Sequence, residues 1–250
     1  MNAKADSAAN GPQGGVAGKR VGVLAVQGAF AEHAAMLSQL GAQVVEIRQA
    51  SDLQKDFDRI VLPGGESTAQ GKVLRDLGML DELRALIQQG VPVLATCAGL
   101  ILLAQRIDQE NGDGSSVDEQ HNSTWLATLP VTVRRNAYGR QLGSFHAHGD
   151  FAGLGQVPMT FIRAPFVTQV DEDVEVLSRV DGSVVAVRYG NQLALSFHPE
   201  LDDDLRIHRL FLEMQESRLP CLRVRCWHGG RSAKVSAAHY GVTHCSHRTV

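Results

Sequence analysis

Three short stretches carry side chains that could do chemistry together. VPVLATCAGLILL (91–103) sets one cysteine, Cys97, in an apolar run, with Ala95 two residues before it and Gly99 two after. LALSFHPEL (193–201) runs out of an apolar segment into His198-Pro199-Glu200. LPGGEST (62–68) places Gly64 and Gly65 directly after another apolar segment. A nucleophile at a sharp strand-to-helix turn needs small residues two places away on each side to avoid clashes, and Ala95 and Gly99 fit that elbow pattern. A thiolate there gains from the helix N-terminus, and the N–H of Ala98 would face an oxyanion formed on an attacked carbonyl. Such a nucleophile needs a base, and the base needs a brace. Residues two apart in an extended chain share a side, so Glu200 could orient His198 while Pro199 stiffens the link. The paired glycines let the backbone turn its N–H groups toward an oxyanion or a small polar substrate.

Each stretch also has a plainer reading. A free cysteine packs as a small hydrophobe. A His and a Glu at a strand end can be surface residues, and Ser67 or Thr68 can cap a helix after a tight turn. Five further histidines, His33, His121, His146, His148 and His208, lack such a setting. His146 and His148 alternate on a possible strand, as half-exposed sheet residues do.

The elements that must position these groups alternate from the start. RVGVLAVQG (20–28), QVVEIRQ (43–49), DRIVLPGG (58–65) and VPVLATC (91–97) read as strands. AFAEHAAMLSQLG (29–41), the stretch 66–90 and AGLILLAQRI (98–107) read as helical. That alternation predicts an α/β fold: three layers, a mostly parallel central sheet and helices on both faces. Ligands sit beyond the carboxyl ends of such strands, which is where Gln27, the Pro63–Thr68 turn and Cys97 fall. The polar segment 108–125 reads as a surface loop. After it come shorter strands (LPVTVRR, GSFHAHG, MTFIRAP, VEVLSRV, SVVAVRYG, QLALSFH), an added and partly antiparallel layer, and then a helix over 202–217.

The 250 residues suit one large domain with tails. The expected division is a disordered leader at 1–18, a domain at 19–217 and an atypical, disordered tail at 218–250. Net charge is −3, so nothing global suggests nucleic acid as a partner. No apolar run reaches the roughly 20 residues of a membrane helix, and the first residues lack a signal peptide's apolar stretch. The expected location is therefore cytoplasmic. Cys221, Cys226 and Cys245 all lie in the tail, which leaves Cys97 without a disulfide partner in the body. A lone intracellular cysteine with suitable histidines is a nucleophile candidate. The tail's Cys/His clusters match no zinc template, so no metal site is expected. A disordered extension or an altered reading frame accounts for them better.

Taken together, TCAGL, FHPEL and PGGEST resemble the class I, triad-type glutamine amidotransferases. More narrowly, AVQGAFAEH (25–33), PGGEST (63–68), TCAGLILLA (96–104), RRNAYGRQ (134–141), FIRAP (161–165) and SFHPEL (196–201) resemble the family of glutaminase subunits of pyridoxal phosphate synthase. The match runs in order from about residue 20 to about 214. PGGEST and RNAYGRQ argue against the related histidine-pathway glutaminase.

The resemblance implies a flavodoxin-like fold and these roles. Cys97 attacks the side-chain amide of glutamine, His198 moves protons and Glu200 braces it. Gly64 and Ala98 form the oxyanion hole. Gly65, Glu66, Ser67, Arg135, Ile162 and Arg163 bind glutamine, and an arginine fork suits its α-carboxylate. Gln27 is linked with activation when a partner docks. That partner is a barrel-shaped pyridoxal 5'-phosphate synthase subunit, to which ammonia passes directly. The chain itself binds no pyridoxal phosphate, needs no cofactor and engages neither nucleic acid nor membrane. Two readings compete: a partner-free cysteine hydrolase of γ-glutamyl peptides or other amides, and a non-catalytic scaffold, against which an intact Cys97, His198 and Glu200 speaks.

Overall fold

The computed structural model of the chain describes residues 16–108, 123–135 and 143–215. All lie in the first of the two units into which the chain divides, Met1–Leu219. The first half runs β1 (Arg20–Leu24), α1 (Phe30–Gln39), β2 (Gln43–Ile47), β3 (Arg59–Leu62), α2 (Ser67–Asp76), α3 (Leu80–Gln88), β4 (Val93–Thr96) and α4 (Ala98–Leu103). The second half adds β5 (Ala104–Ile107), β6 (Leu129–Arg134), β7 (Ser144–Phe151), β8 (Gly155–Ile162), β9 (Phe166–Val170), β10 (Glu175–Val180), β11 (Ser183–Tyr189), β12 (Gln192–Leu195) and α5 (Arg206–Glu213).

Five strands, in the order β2-β1-β3-β4-β12, pair in parallel and form the centre. β3, β4 and β12 are buried at every position, as strands covered on both faces must be. Their residues alternate between two cores with the period of two that a strand imposes. Ile60, Leu62, Val93, Ala95 and Ala194 face one core, which Leu74, Leu83, Ile87 and Leu100 close from α2, α3 and α4. Val61, Leu94, Leu193 and Leu195 face the other, closed by Leu37 of α1 and by Ile207, Phe211 and Leu212 of α5. Beyond β12 the sheet turns antiparallel through β11, β10, β7 and β8, and β9 brings in β6 and β5.

Two pairings matter for the site. β12 lies beside β4 with Leu195 opposite Thr96, and the Cys97 N–H donates to the Leu195 carbonyl at 2.8 Å. The chain just after β12 is therefore laid against the chain just after β4.

Several expectations need correction. The helix expected over 98–107 stops at Leu103, and Ala104–Ile107 is a strand paired with β6. A short apolar run has no period long enough to separate the two, and sheet pairing decides it. β9, which the reading passed over, lies between FIRAP and VEVLSRV. Trp125, at the end of the expected surface loop, is buried against α2, where a Cβ on Gly71 would fall 2.1 Å from its ring. Val16 packs in the second core, three residues ahead of the expected start of the folded region. Residues 1–15, most of the 108–125 loop, Asn136–Gln141 of RRNAYGRQ, and the tail with its Cys/His clusters lie outside the described residues. Among those described, no helix is long and apolar enough to cross a membrane.

Candidate active site

Cys97 sits between β4 and α4 with φ 47° and ψ −97°, a backbone position that L residues rarely adopt. Strain of this kind persists only where the surroundings over-determine it. The surroundings here are the Cys97–Leu195 bond and the close approach of α4 to β3. A Cβ on Gly99 would lie 2.2 Å from the Leu62 carbonyl oxygen, so only glycine lets the helix start there. Ala98 opens the helix, and its N–H is one of those left without an intrahelical partner. The elbow inferred from the small flanking residues is present.

His198 and Glu200 reach the same place from β12. The His198 N–H is held by the Thr160 carbonyl of β8 at 2.8 Å. Its imidazole is close enough to Cys97 to feel the thiol's charge, and its Nδ1 lies 2.7 Å from Glu200 Oε1. The bracing arises differently from the expectation. The chain is not extended from 198 to 200; Pro199–Leu201 form a single 3-10 turn that carries Glu200 back beneath the ring. Burial pushes the His198 imidazole down, but hydrogen bonds and charges from Cys97 and Glu200 outweigh it and raise its pKa to about 10. The ring is thus protonated at neutral pH. Burial pushes the Glu200 carboxyl up, yet His33 and His198 outweigh that and hold it below the usual range.

The Gly-Gly turn forms the opposite wall. Gly64 lies so close to His198 that a Cβ would fall 2.2 Å from the ring's Cε1. The Gly64 carbonyl accepts from the Ala29 N–H at 3.1 Å, and Gly65 has φ 154°. Gln27 Oε1 accepts the Glu66 N–H at 2.9 Å, while Gln70 Nε2 donates to the Gln27 carbonyl at 3.0 Å. Among the described residues, the turn's N–H groups left for an oxyanion are those of Gly64 and Gly65.

The remaining glutamine-binding candidates divide. Glu66 caps α2, accepting from the Thr68 and Ala69 N–H groups at 2.9 and 2.6 Å; Ser67 and Thr68 do not supply the cap. Burial pushes the Glu66 carboxyl up, but the two N–H groups, the Thr68 hydroxyl and Arg135 outweigh it and lower it. Arg135 is buried against the same turn, its guanidinium 3.3 Å from both Glu66 Oε1 and Thr68 Oγ1. Ser67 is buried and its hydroxyl makes no hydrogen bond. The Ile162 carbonyl lies 4.0 Å from Cys97 Sγ, and the exposed Arg163 follows it with φ 43°. The triad candidates meet, as do Gln27, Gly65, Glu66 and Arg135.

Two residues that the sequence reading set aside also belong here. His33 of α1, fully buried, has Nε2 3.3 Å from Glu200 Oε2 and 3.1 Å from Thr96 Oγ1, and Nδ1 2.9 Å from His208 Nε2 of α5. Burial holds both imidazoles below their ordinary pKa, His208 down to about 3. The signal lay in spacing: His33 shares a helical face with Met36 and Leu37, and His208 with Phe211 and Leu212. A histidine on an apolar stripe reads as core.

The chain has clear similarity to known proteins. The model of the SNO glutamine amidotransferase family matches residues 23–217. The pyridoxal 5'-phosphate synthase subunit PdxT of Desulfitobacterium hafniense is 55% identical over 194 residues, covering 78% of this chain and 92% of that protein. Its namesake from Methanocorpusculum labreanum is 55% identical over 195 residues, covering 78% and 97%. A crystal structure of a glutamine amidotransferase superposes with a TM-score of 0.69 at 44% identity, covering 78% of this chain and 97% of that one.

Proposed function

The chain belongs to the SNO glutamine amidotransferase family, and from that premise we propose how its residues hydrolyse glutamine and where the ammonia goes. The observation that carries the mechanism is the meeting of a strained cysteine with a carboxylate-braced histidine. An imidazolium at that position stabilises the thiolate that attacks. Cys97 Sγ adds to the amide carbon of the glutamine side chain, and the carbonyl oxygen takes up negative charge. The N–H of Ala98 and those of the Gly64–Gly65 turn stabilise that oxyanion. His198 then gives its proton to the departing nitrogen, ammonia leaves and a glutamyl thioester remains. Now neutral, His198 takes a proton from water as the water attacks the thioester. Glutamate departs, and the thiolate and imidazolium are restored.

Arg135 and Glu66 form one wall of the glutamine site. Arg135 offers its fork to the α-carboxylate, and Ile162 and Arg163 border the thiol on the other side. Gln27 ties the β1 end to the Glu66 N–H, so a partner that displaces it could re-aim the turn. The partner proposed is the pyridoxal 5'-phosphate synthase barrel subunit, named for the relatives' assembly. Direct transfer suits the product, because ammonia released into neutral water becomes ammonium and stops being a nucleophile.

The test is glutamate release from glutamine, with and without the barrel subunit, for the wild type and Cys97→Ala. Release that depends on Cys97 and rises when the barrel is present is expected. Equal rates for the two proteins would remove the mechanism, and indifference to the barrel would remove the partner.

A further inference from the structure

We propose that His33 is a positioning residue for the Glu200–His198 couple, gripping the second carboxylate oxygen and tying it to the nucleophile's strand through Thr96 and to α5 through His208. The proposal rests on the glutaminase reading above.

The argument starts at Glu200. One oxygen, Oε1, is used by His198 at 2.7 Å. The other, Oε2, is fully buried, has no well-aligned hydrogen bond, and has His33 Nε2 facing it at 3.3 Å. A buried carboxylate whose second oxygen met no donor would rotate or take up a proton. Either change would release His198.

The network allows one economical proton arrangement. A bare Nε2 lone pair on His33 would face the carboxylate and repel it, so Nε2 carries the proton. Its hydrogen-bond partner is Thr96 Oγ1 at 3.1 Å, with Glu200 Oε2 alongside at 3.3 Å as an electrostatic contact. His33 Nδ1 is then the acceptor, and His208 Nε2 donates to it at 2.9 Å. This leaves His208 Nδ1 as a bare acceptor, and that atom has no partner. Protonating His33 instead would reverse the His33–His208 bond and strand a buried N–H on His208, which costs more than a bare lone pair. The charged and titratable groups around His33 are Glu200, His198, His208 and Glu32. Burial outweighs the pull of Glu200 and Glu32, which keeps the ring neutral.

His33 thus joins the two sides of the reaction centre. Thr96 immediately precedes Cys97, and Glu200 orients the imidazole that serves Cys97. The grip needs an N–H at the Nε2 position, which a glutamine amide can reach. An asparagine amide reaches only the Nδ1 position, toward His208.

The experiment measures glutamate release by the full chain with its barrel subunit. It compares the wild type, Cys97→Ala, His33→Leu, His33→Gln and His33→Asn, with thermal melts of each. His33→Leu is expected to lose about ten- to a hundredfold in kcat with KM little changed, since small misplacements of reacting groups cost on that order. The alkaline limb of its kcat/KM profile should move to lower pH as Glu200 loosens its hold on His198. His33→Gln should recover most of kcat and His33→Asn should not. A folded His33→Leu with wild-type kcat and alkaline limb would overturn the proposal. So would equal losses in the Gln and Asn variants, or misfolding of all three. If the wild type releases no glutamate, or Cys97→Ala matches it, the glutaminase reading itself fails.

Discussion

Gly64 shows how little room the reaction centre has. A methyl group there would lie 2.2 Å from His198 Cε1, so the ring must swing away from Cys97. Gly64→Ala should lower kcat by about a hundredfold or more, as loss of a positioned acid–base group does, while the melting temperature changes little. Kinetics and a thermal melt on the same sample check this. The buried histidines predict a pH effect on stability. In the unfolded chain each takes a proton near pH 6.5, but in the fold burial holds His33 and His208 neutral, His208 down to about 3. The unfolded state therefore binds more protons between those limits. The contribution of these two burials is fully present above pH 6.5 and falls on acidification, by about 1.4 kcal/mol per pH unit for His208 and in the same direction for His33. Denaturant melts between pH 7.5 and 4.5 should show this slope, and His208→Leu should make it shallower.

Two elements depend at one end on a single residue for how they meet the sheet. α4 begins against β3 only because Gly99 leaves space for the Leu62 carbonyl. Gly99→Ala should destabilise by roughly 1–3 kcal/mol, the usual cost of overpacking, and should also displace the thiol, so urea midpoint and glutamate release fall together. α5 is fastened at its end by Arg59 of β3, which is buried and donates to the Leu212 carbonyl at 2.9 Å and the Met214 carbonyl at 2.6 Å. Arg59→Met strands both carbonyls and should cost about 2–4 kcal/mol, read as an earlier urea midpoint. Legibility at this scale depended on how long a pattern runs. The parallel strands were readable because they are buried on both faces and bounded by turns. The change from α4 to β5 was not, because six apolar residues carry neither period. Glu66 as the α2 cap was hidden behind Ser67 and Thr68, the commoner capping types.

Across the molecule, the reaction centre draws on β1, α1, the turn after β3, the elbow after β4, β8 and the segment after β12. The Cys97–His198–Glu200 grouping could be read in advance because each member sits beside a turn motif with its own physical reason. The His33–His208 pair could not, because nothing local distinguishes a histidine that packs from one that grips. The family match ends at residue 217, so removal of 218–250 should leave glutamate release and melting temperature unchanged, and a drop in either would assign the extension a part. One pairing described above reaches further. Cys97 and His198 are far apart in sequence but sit just past the ends of adjoining parallel strands, with Leu195 opposite Thr96. Every added or missing residue shifts a strand by about 3.4 Å and turns its side chains to the other face. Between Gln192 and His198 an evolving lineage can therefore change letters but not their number: an indel of one there would leave a foldable protein with no enzyme in it.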